Sequence, residues 1–387
     1  MKIILAPDSF KGNLTSLEVA TAFEKGIKRV LPRAKCIKIP MADGGEGTVQ
    51  SLVDGVGGKF VRKRVVGPAG NTVSARYGLL SDGKTAVIEM AEASGLPLVS
   101  GKNKNPLKTT TYGTGELILD AAKRGSEKII IGIGGSATND GGVGMAQAIG
   151  IRFLNKQGKV ISDYGSGGML KKIAHIDNKK VDPLLKKIKI IVACDVNNAL
   201  CGKSGAAYVF APQKGATPAM VRILDENLRH LGKVIKQSLR KDVTKLKGAG
   251  AAGGLGAGLV AFTGARMKSG IEIVIDASNI CKHMENADLV VTGEGRVDTQ
   301  TVFGKTPSGI AKAARKYHIP TVVIGGGITD DANDIFAYGI DGLESACARD
   351  MSLEEAIKNS RKHLANAAER AIRLVLIGKK IAKKSFK

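Results

Sequence analysis

The chain opens with an apolar run, Ile3-Ile4-Leu5-Ala6, and a second segment, Cys36-Ile37-Lys38-Ile39, alternates apolar and polar positions. Both patterns predict strands. Between them Leu17, Ala20, Phe23, Ile27 and Val30 recur at the period of an amphipathic helix, with a Thr15/Glu18 capping box at its start and Leu31-Pro32 at its end. Residues 1–40 therefore read as a βαβ unit. The same patterning predicts strands over 85–90, 128–133, 189–194, 271–276, 287–292 and 320–324, several of them continuous apolar runs suited to a buried parallel sheet. Helices are expected to begin at Thr306-Pro307, with proline at the first helical position, and at Ser352, where Glu355 completes a capping box. The Lys-rich end, 378–387, is expected to fray.

Alternating strands and helices argue for parallel sheets covered by helices, and 387 residues exceed what one hydrophobic core usually supports, so two α/β domains are expected. With 43% hydrophobic and 24% charged residues the composition is that of a globular protein. The start, MKIILAPDSF, lacks a signal-peptide core, and the longest apolar stretch, GAAGGLGAGLVAF, is too short to span a bilayer. A cytoplasmic protein without a membrane partner is the expectation. The five cysteines are scattered, with no spacing that would hold zinc or suggest structural disulfides, and the five histidines show no ligand spacing. A formal charge of +24 is spread along the chain as a solvated basic surface, whose field attracts anionic ligands.

Ligands of open α/β sheets sit beyond the carboxyl ends of the strands, and there this sequence concentrates its chemistry. APDSFKG follows the first strand with Asp8, Ser9 and Lys11, and MADGGEGT follows the second with Asp43 and Glu46 among three glycines. Acids on a loop whose glycines allow close approach suit a metal ion or a proton in transit. IGIGGSATNDGGVGM, 131–145, sets Gly134, Gly135, Ser136, Thr138 and Asn139 between a strand and a helix, where amides and hydroxyls suit phosphate oxygens. Its G-x-G-x-x-A, 132–137, would suggest an NAD(P)-dependent oxidoreductase, but residues 151–157 lack the acid that would hold the ribose. GEGRVDTQTVFGKTP carries Glu294, Arg296, Asp298 and Lys305; its Gly304-Lys305-Thr306 imitates the end of a P-loop, yet Thr299 replaces that motif's first glycine. Arg296 offers a two-pronged grip on a carboxylate or phosphate, and Lys305 offers charge at a helix start. Asp195 closes another strand. A nucleic-acid-binding reading has only the charge in its favour: no recognition motif is present and aromatics make up 4%.

APDSFKG, ADGGEGT, ASGLPL, NPLKTTTYGTGELI, IGIGGSATNDGG, ACDVNNALCG, PQKGAT, GAGAAGGLGAG, SGIEIV and TGEGRVDTQTVFGKTP, in this order over nearly the whole chain, resemble the type I glycerate kinases. Asn197, where an acid often stands, and Ala199, where proline often does, depart from that pattern. The resemblance implies phosphorylation of D-glycerate by ATP with Mg²⁺, the 2-hydroxyl being favoured, and no nucleic-acid partner. It also implies a flavodoxin/Rossmann-like domain split by an inserted second α/β domain, expected at 1–78 plus 285–387 and at 79–284. Residue type and loop position assign Asp43, Asp195, Lys11 and Arg296 to catalysis, and Ser9, Lys11, Glu46 and Arg296 to the substrate. Gly134, Gly135, Ser136, Thr138, Asn139 and Lys305 are assigned to the nucleotide, and Asp43 or Asp298 to the metal.

Overall fold

The computed structural model describes residues 1–302 and 305–385. The chain divides into two compact units, Met1–Asp43 with Gln50–Gly57 and Ile271–Lys387 in the first, and Gly44–Val49 with Gly58–Gly270 in the second. The first unit is thus discontinuous, interrupted by the second, and both are α/β.

In the first unit five strands form an all-parallel sheet in the order Gly342–Ser345, Thr321–Ile328, Leu289–Val297, Lys2–Leu5, Lys35–Lys38. Counted along the chain within this unit, that order is 2-1-3-4-5, the flavodoxin-like doubly wound arrangement. One face packs Ile3, Leu5, Leu289, Val291, Val322 and Ile324 against Phe23 and Ile27 of the helix Ser16–Val30 and Leu364 and Ile372 of the helix Ser360–Ser385. The intervening Val323 faces the other way, into a cluster with Ala311 and Ile335, as strand alternation requires. The capping box at Thr15 forms with both reciprocal bonds. Ser360–Ser385 continues as helix through most of the segment expected to fray, while residues 386 and 387 lie outside the described residues.

The second unit holds a six-stranded sheet in the order Arg266–Lys268, Lys189–Ala193, Lys128–Gly132, Thr85–Glu89, Thr72–Leu80, Gly58–Val66. Its first four strands run parallel, and the last two join antiparallel. Ile88, Ile129, Ile131 and Val192 of the sheet bury with Leu117 and Ile118 of the helix Tyr112–Lys123 and with Leu255 and Leu259 of the helix Ala251–Thr263. The glycines of GAGAAGGLGAG serve close backbone packing. A Cβ on Gly253 would stand 2.0 Å from the Thr138 carbonyl oxygen, and one on Gly258 would stand 2.4 Å from that of Gly141.

Two sequence expectations change. Residues 271–276 are not a strand; they lie in the helix Gly270–Ser278, where Ile271 and Val274 are buried one turn apart while Glu272 and Asp276, four residues apart, are exposed. Their β-branched content signalled a strand, and packing overrode it. The hairpin Gly58–Val66/Thr72–Leu80 was not anticipated, because the first of its strands buries only Val61 and Val65 among exposed basic residues and shows no period-2 pattern.

Gly26 sets the approach of the helices Ser16–Val30 and Ser360–Ser385, since a Cβ there would lie 1.9 Å from the Ala365 carbonyl oxygen. Helix propensity alone would make Gly26→Ala stabilising by about 1 kcal/mol. Overpacking reverses that sign, and we expect a net loss on the order of 1–3 kcal/mol in urea unfolding. A gain in the unfolding midpoint would contradict the close crossing.

Candidate active site

In a doubly wound sheet the crevice opens where the strand order reverses. In the first unit that point lies between Lys2–Leu5 and Leu289–Val297. The ladder continues past the first strand, with Ala6 N donating to Val291 O at 2.9 Å and Asp8 N to Gly293 O at 2.8 Å, so Asp8 is carried to the level of Glu294. A cavity of about 760 Å³ opens there. Asp8, Ser9, Lys11, Asp43, Glu294, Arg296 and Lys305 line its polar side, and Phe10, Ile328, Leu353 and Ile357 are among its apolar lining.

The site's acids are held against their own electrostatics. The Asp8 carboxylate is 6% exposed; it accepts from Ser9 N at 2.6 Å and from Thr306 Oγ1 at 2.8 Å. Burial, reinforced by the nearby Asp43 charge, outweighs those bonds and pushes its pKa up to about 6. Burial likewise raises Glu294 to about 7, although Thr301 Oγ1 donates to it at 2.6 Å and Lys305 lies 3.9 Å away. Lys11 stands 3.6 Å from Asp43. Its burial works against the charged form, but the Asp43 and Asp8 carboxylates prevail and its pKa rises. Arg296 is largely exposed and lies 4.0 Å from Asp298, while Lys305 lies 3.7 Å from the same carboxylate and is the N-cap of the helix Thr306–Arg315. Gly304 of the P-loop-like string lies outside the described residues. Two carboxyls with raised pKa beside three cations form a place for an anion and for a proton.

The second unit carries the other predicted residues. After the strand Lys128–Gly132 the backbone of Gly134 and Gly135 is exposed, and Gly135 has φ +71°. Ser136 is 7% exposed, and Thr138 and Asn139 are wholly buried; the Thr138 hydroxyl and both polar atoms of the Asn139 side chain have no hydrogen-bond partner. The helix that follows, Val143–Ala148, has six residues, and its start is already engaged. Gly142 N and Gly144 N both donate to the buried Asp140 carboxylate at 3.2 Å, which also accepts from Thr111 N at 2.9 Å and Thr111 Oγ1 at 2.7 Å. The amides at that helix start therefore serve Asp140. The Thr111 hydroxyl donates to the same acid and does not cap the helix Tyr112–Lys123. Beneath the loop, Lys214 Nζ donates to Ser136 Oγ at 2.7 Å and to Thr138 O at 2.6 Å, and burial lowers its pKa to about 7 against the pull of Asp140.

Asp195 is exposed and accepts from Gly270 N at 3.0 Å. Glu46 is exposed, on a loop held by Val49 N donating to Glu89 at 2.8 Å. The structure thus gathers Ser9, Lys11, Asp43, Arg296, Asp298 and Lys305 in the first unit, and places Glu46, Asp195 and the 134–139 loop in the second. The sequence displayed Asp8 and Glu294 as strand-end acids without a role, and gave Asp140 and Lys214 none beyond their place in IGIGGSATNDGG and PQKGAT. Only burial distinguishes these four.

A split, doubly wound α/β protein with an acid-and-cation pocket at its switch point has the build of a small-molecule enzyme. The glycerate kinase family model matches residues 3–376. Glycerate kinase of Halalkalibacterium halodurans is 53% identical over 95% of this chain and 96% of its own, and that of Bacillus subtilis is 50% identical over 100% of both. Glycerate 2-kinase of Escherichia coli is 48% identical over 98% and 99%. Among solved structures, a Salmonella typhimurium LT2 protein described as glycerate kinase 2 superposes with a TM-score of 0.90 at 47% identity, covering 98% of this chain and 99% of that one. The chain belongs to the glycerate kinase family and is a kinase. The dehydrogenase reading falls away.

The raised pKa of Glu294 fixes the sign of a pH effect. A carboxyl with a folded pKa of about 7 against an ordinary value of 4.5 favours the folded state below pH 4.5, and that contribution is lost as pH rises through 7. Glu294→Gln removes the penalty. In metal-free buffer the variant should gain on wild type between pH 4.5 and pH 8 by an amount on the order of 1–3 kcal/mol in denaturant unfolding. A difference independent of pH would show that Glu294 ionises normally.

Proposed function

We propose that this kinase transfers the γ-phosphoryl group of ATP to the 2-hydroxyl of D-glycerate, giving 2-phosphoglycerate and ADP. The observation that carries this reading is the switch-point pocket of the first unit, where Lys11, Arg296 and Lys305 surround partly protonated carboxyls. Arg296 suits a two-pronged grip on the glycerate carboxylate, and Lys11 suits an anionic oxygen beside it, with Ser9 and Glu46 as further substrate contacts. Phosphoryl transfer asks the protein mainly for positioning and charge. The substrate oxygen forms its bond to phosphorus as the bond to the bridging oxygen breaks, and the hydroxyl proton passes to a carboxylate. Asp195 is the acceptor we assign, and Asp43 is assigned to catalysis beside it. The choice of the 2-hydroxyl follows the family resemblance and the name of the Escherichia coli relative.

For the nucleotide we assign Gly134, Gly135, Ser136, Thr138 and Asn139, with Lys305 as a further phosphate contact. The buried, unpartnered polar atoms of Thr138 and Asn139 support this loop as the place for a polar ligand. Mg²⁺ takes one or two carboxylates and otherwise water and phosphate oxygens, a demand that Asp43 and Asp298 fit. Bound there, the ion would neutralise charge that develops on the transferring group. Five free cysteines accord with a reducing cytoplasm.

Incubation with ATP, Mg²⁺ and D-glycerate, followed by phosphorus NMR of the product, is expected to yield 2-phosphoglycerate; the 3-phosphate would overturn the regiochemistry. Asp43→Asn and Asp195→Asn are each expected to lower kcat by about 100-fold or more with little change in melting temperature, a range typical of general acid–base groups. Near-normal turnover would remove either residue from the catalytic set.

Gly134→Val tests the cradle. Gly135 is the less clean position, because its φ of +71° would add backbone strain, whereas a Cβ on Gly134 meets nothing closer than 3.7 Å. The variant is expected to raise KM for ATP about tenfold and KM for glycerate less than twofold, the scale of one lost close approach at 1.4 kcal/mol per decade. Unchanged nucleotide affinity in the folded variant would place the phosphates elsewhere.

A further inference from the structure

Lys214 ends the short turn Pro212–Lys214, and its side chain is 1% exposed. An ammonium is costly to remove from water, and an apolar side chain of similar length would fill the space without that cost. Both of its hydrogen bonds go to the loop after Lys128–Gly132, one to the Ser136 hydroxyl and one to the Thr138 carbonyl. They fall just past the exposed Gly134 and Gly135, on the two loop residues that alternate beyond them. Further along, the four hydrogen bonds to the Asp140 carboxylate pin the loop's exit to Thr111, Gly142 and Gly144. The base of Lys214 is itself fixed: Gly215 takes φ +90°, and a Cβ there would stand 2.2 Å from the Lys104 carbonyl oxygen. Asp140 therefore anchors the exit, and Lys214 braces the crest from below.

We propose that Lys214 is a positioning residue for nucleotide binding, holding the Ser136 hydroxyl and the Thr138 carbonyl so that Gly134 and Gly135 present a fixed backbone to the phosphates. The inference rests on the assignment of the 134–139 loop to the nucleotide. Lys214 itself touches no substrate; it acts through the loop. Release of these two bonds lets the loop shift, and ATP binding should weaken by roughly tenfold or more, about 1.4 kcal/mol per decade.

The test is steady-state kinetics of Lys214→Met, which keeps length and removes every donor, with ATP and glycerate varied separately and folding checked by circular dichroism. KM for ATP is expected to rise about tenfold or more while KM for glycerate stays within about twofold, and the effect should be less than additive with that of Ser136→Ala. An unchanged KM for ATP, equal losses for both substrates, or full additivity would overturn the proposal. Gly134→Val separates the two levels of the argument. If it leaves KM for ATP unchanged, the cradle itself is misplaced; if it raises that KM while a folded Lys214→Met does not, only the role of Lys214 fails. Should Lys214→Met not fold, Lys214→Arg carries the same reading. A selective rise in KM for ATP supports the brace, and unchanged kinetics overturn it. Failure of both variants to fold would assign Lys214 to the unit's stability alone and would also overturn it.

Discussion

The parallel register between Lys2–Leu5 and Leu289–Val297 is the constraint on which the first unit's chemistry depends. Ile3, Ile4 and Leu5 pair with Leu289, Val290 and Val291, and the ladder runs on to bring Asp8 against Gly293. Strand pairing fixes which residues emerge together at the carboxyl edge, so Asp8 and Glu294, 286 positions apart, share one depth of burial. That shared depth raises both pKa values. The cations follow from the same edge: Lys11 leaves the loop after the first strand, Arg296 lies on Leu289–Val297 itself, and Lys305 caps the helix beyond it. A pocket lined by three acids and three cations is thereby able to receive an anion, because burial partly neutralises Asp8 and Glu294 while the cations keep their charge.

The second unit solves a different problem by a related device. Its Gly-rich loop has to leave a strand, expose two glycines and re-enter the core within a few residues. Gly253 and Gly258 let the helix Ala251–Thr263 approach the backbone of 138–141 more closely than any side chain would permit. The backbone amides thus brought inside need acceptors, and the Asp140 carboxylate serves two of them. Two buried polar side chains, Asp140 and Lys214, hold a loop whose exposed residues have no side chains with which to hold themselves.

Much of this organisation was legible in the chain. The capping box at Thr15 formed because it is a local device that needs only Thr15 and Glu18 at the right spacing. The buried strands were legible because sheets covered on both faces demand continuous apolar runs. The ordered strings from APDSFKG to TGEGRVDTQTVFGKTP identified the family, as the relatives bear out. Residues 271–276 misled because β-branched side chains suit a strand and a buried helix face alike, and only their neighbours decide between the two.

What the sequence by itself determined was therefore the alternation of elements, the family, and the residue types at the strand ends. What only the tertiary structure decided was which of those residues ionise abnormally and which support others. Asp8 and Glu294 looked no different from Asp43 and Asp298, and Lys214 looked no different from any of the chain's many other lysines. A pKa depends on the solvent and charge surrounding a group, and those surroundings are assembled from segments far apart in the chain.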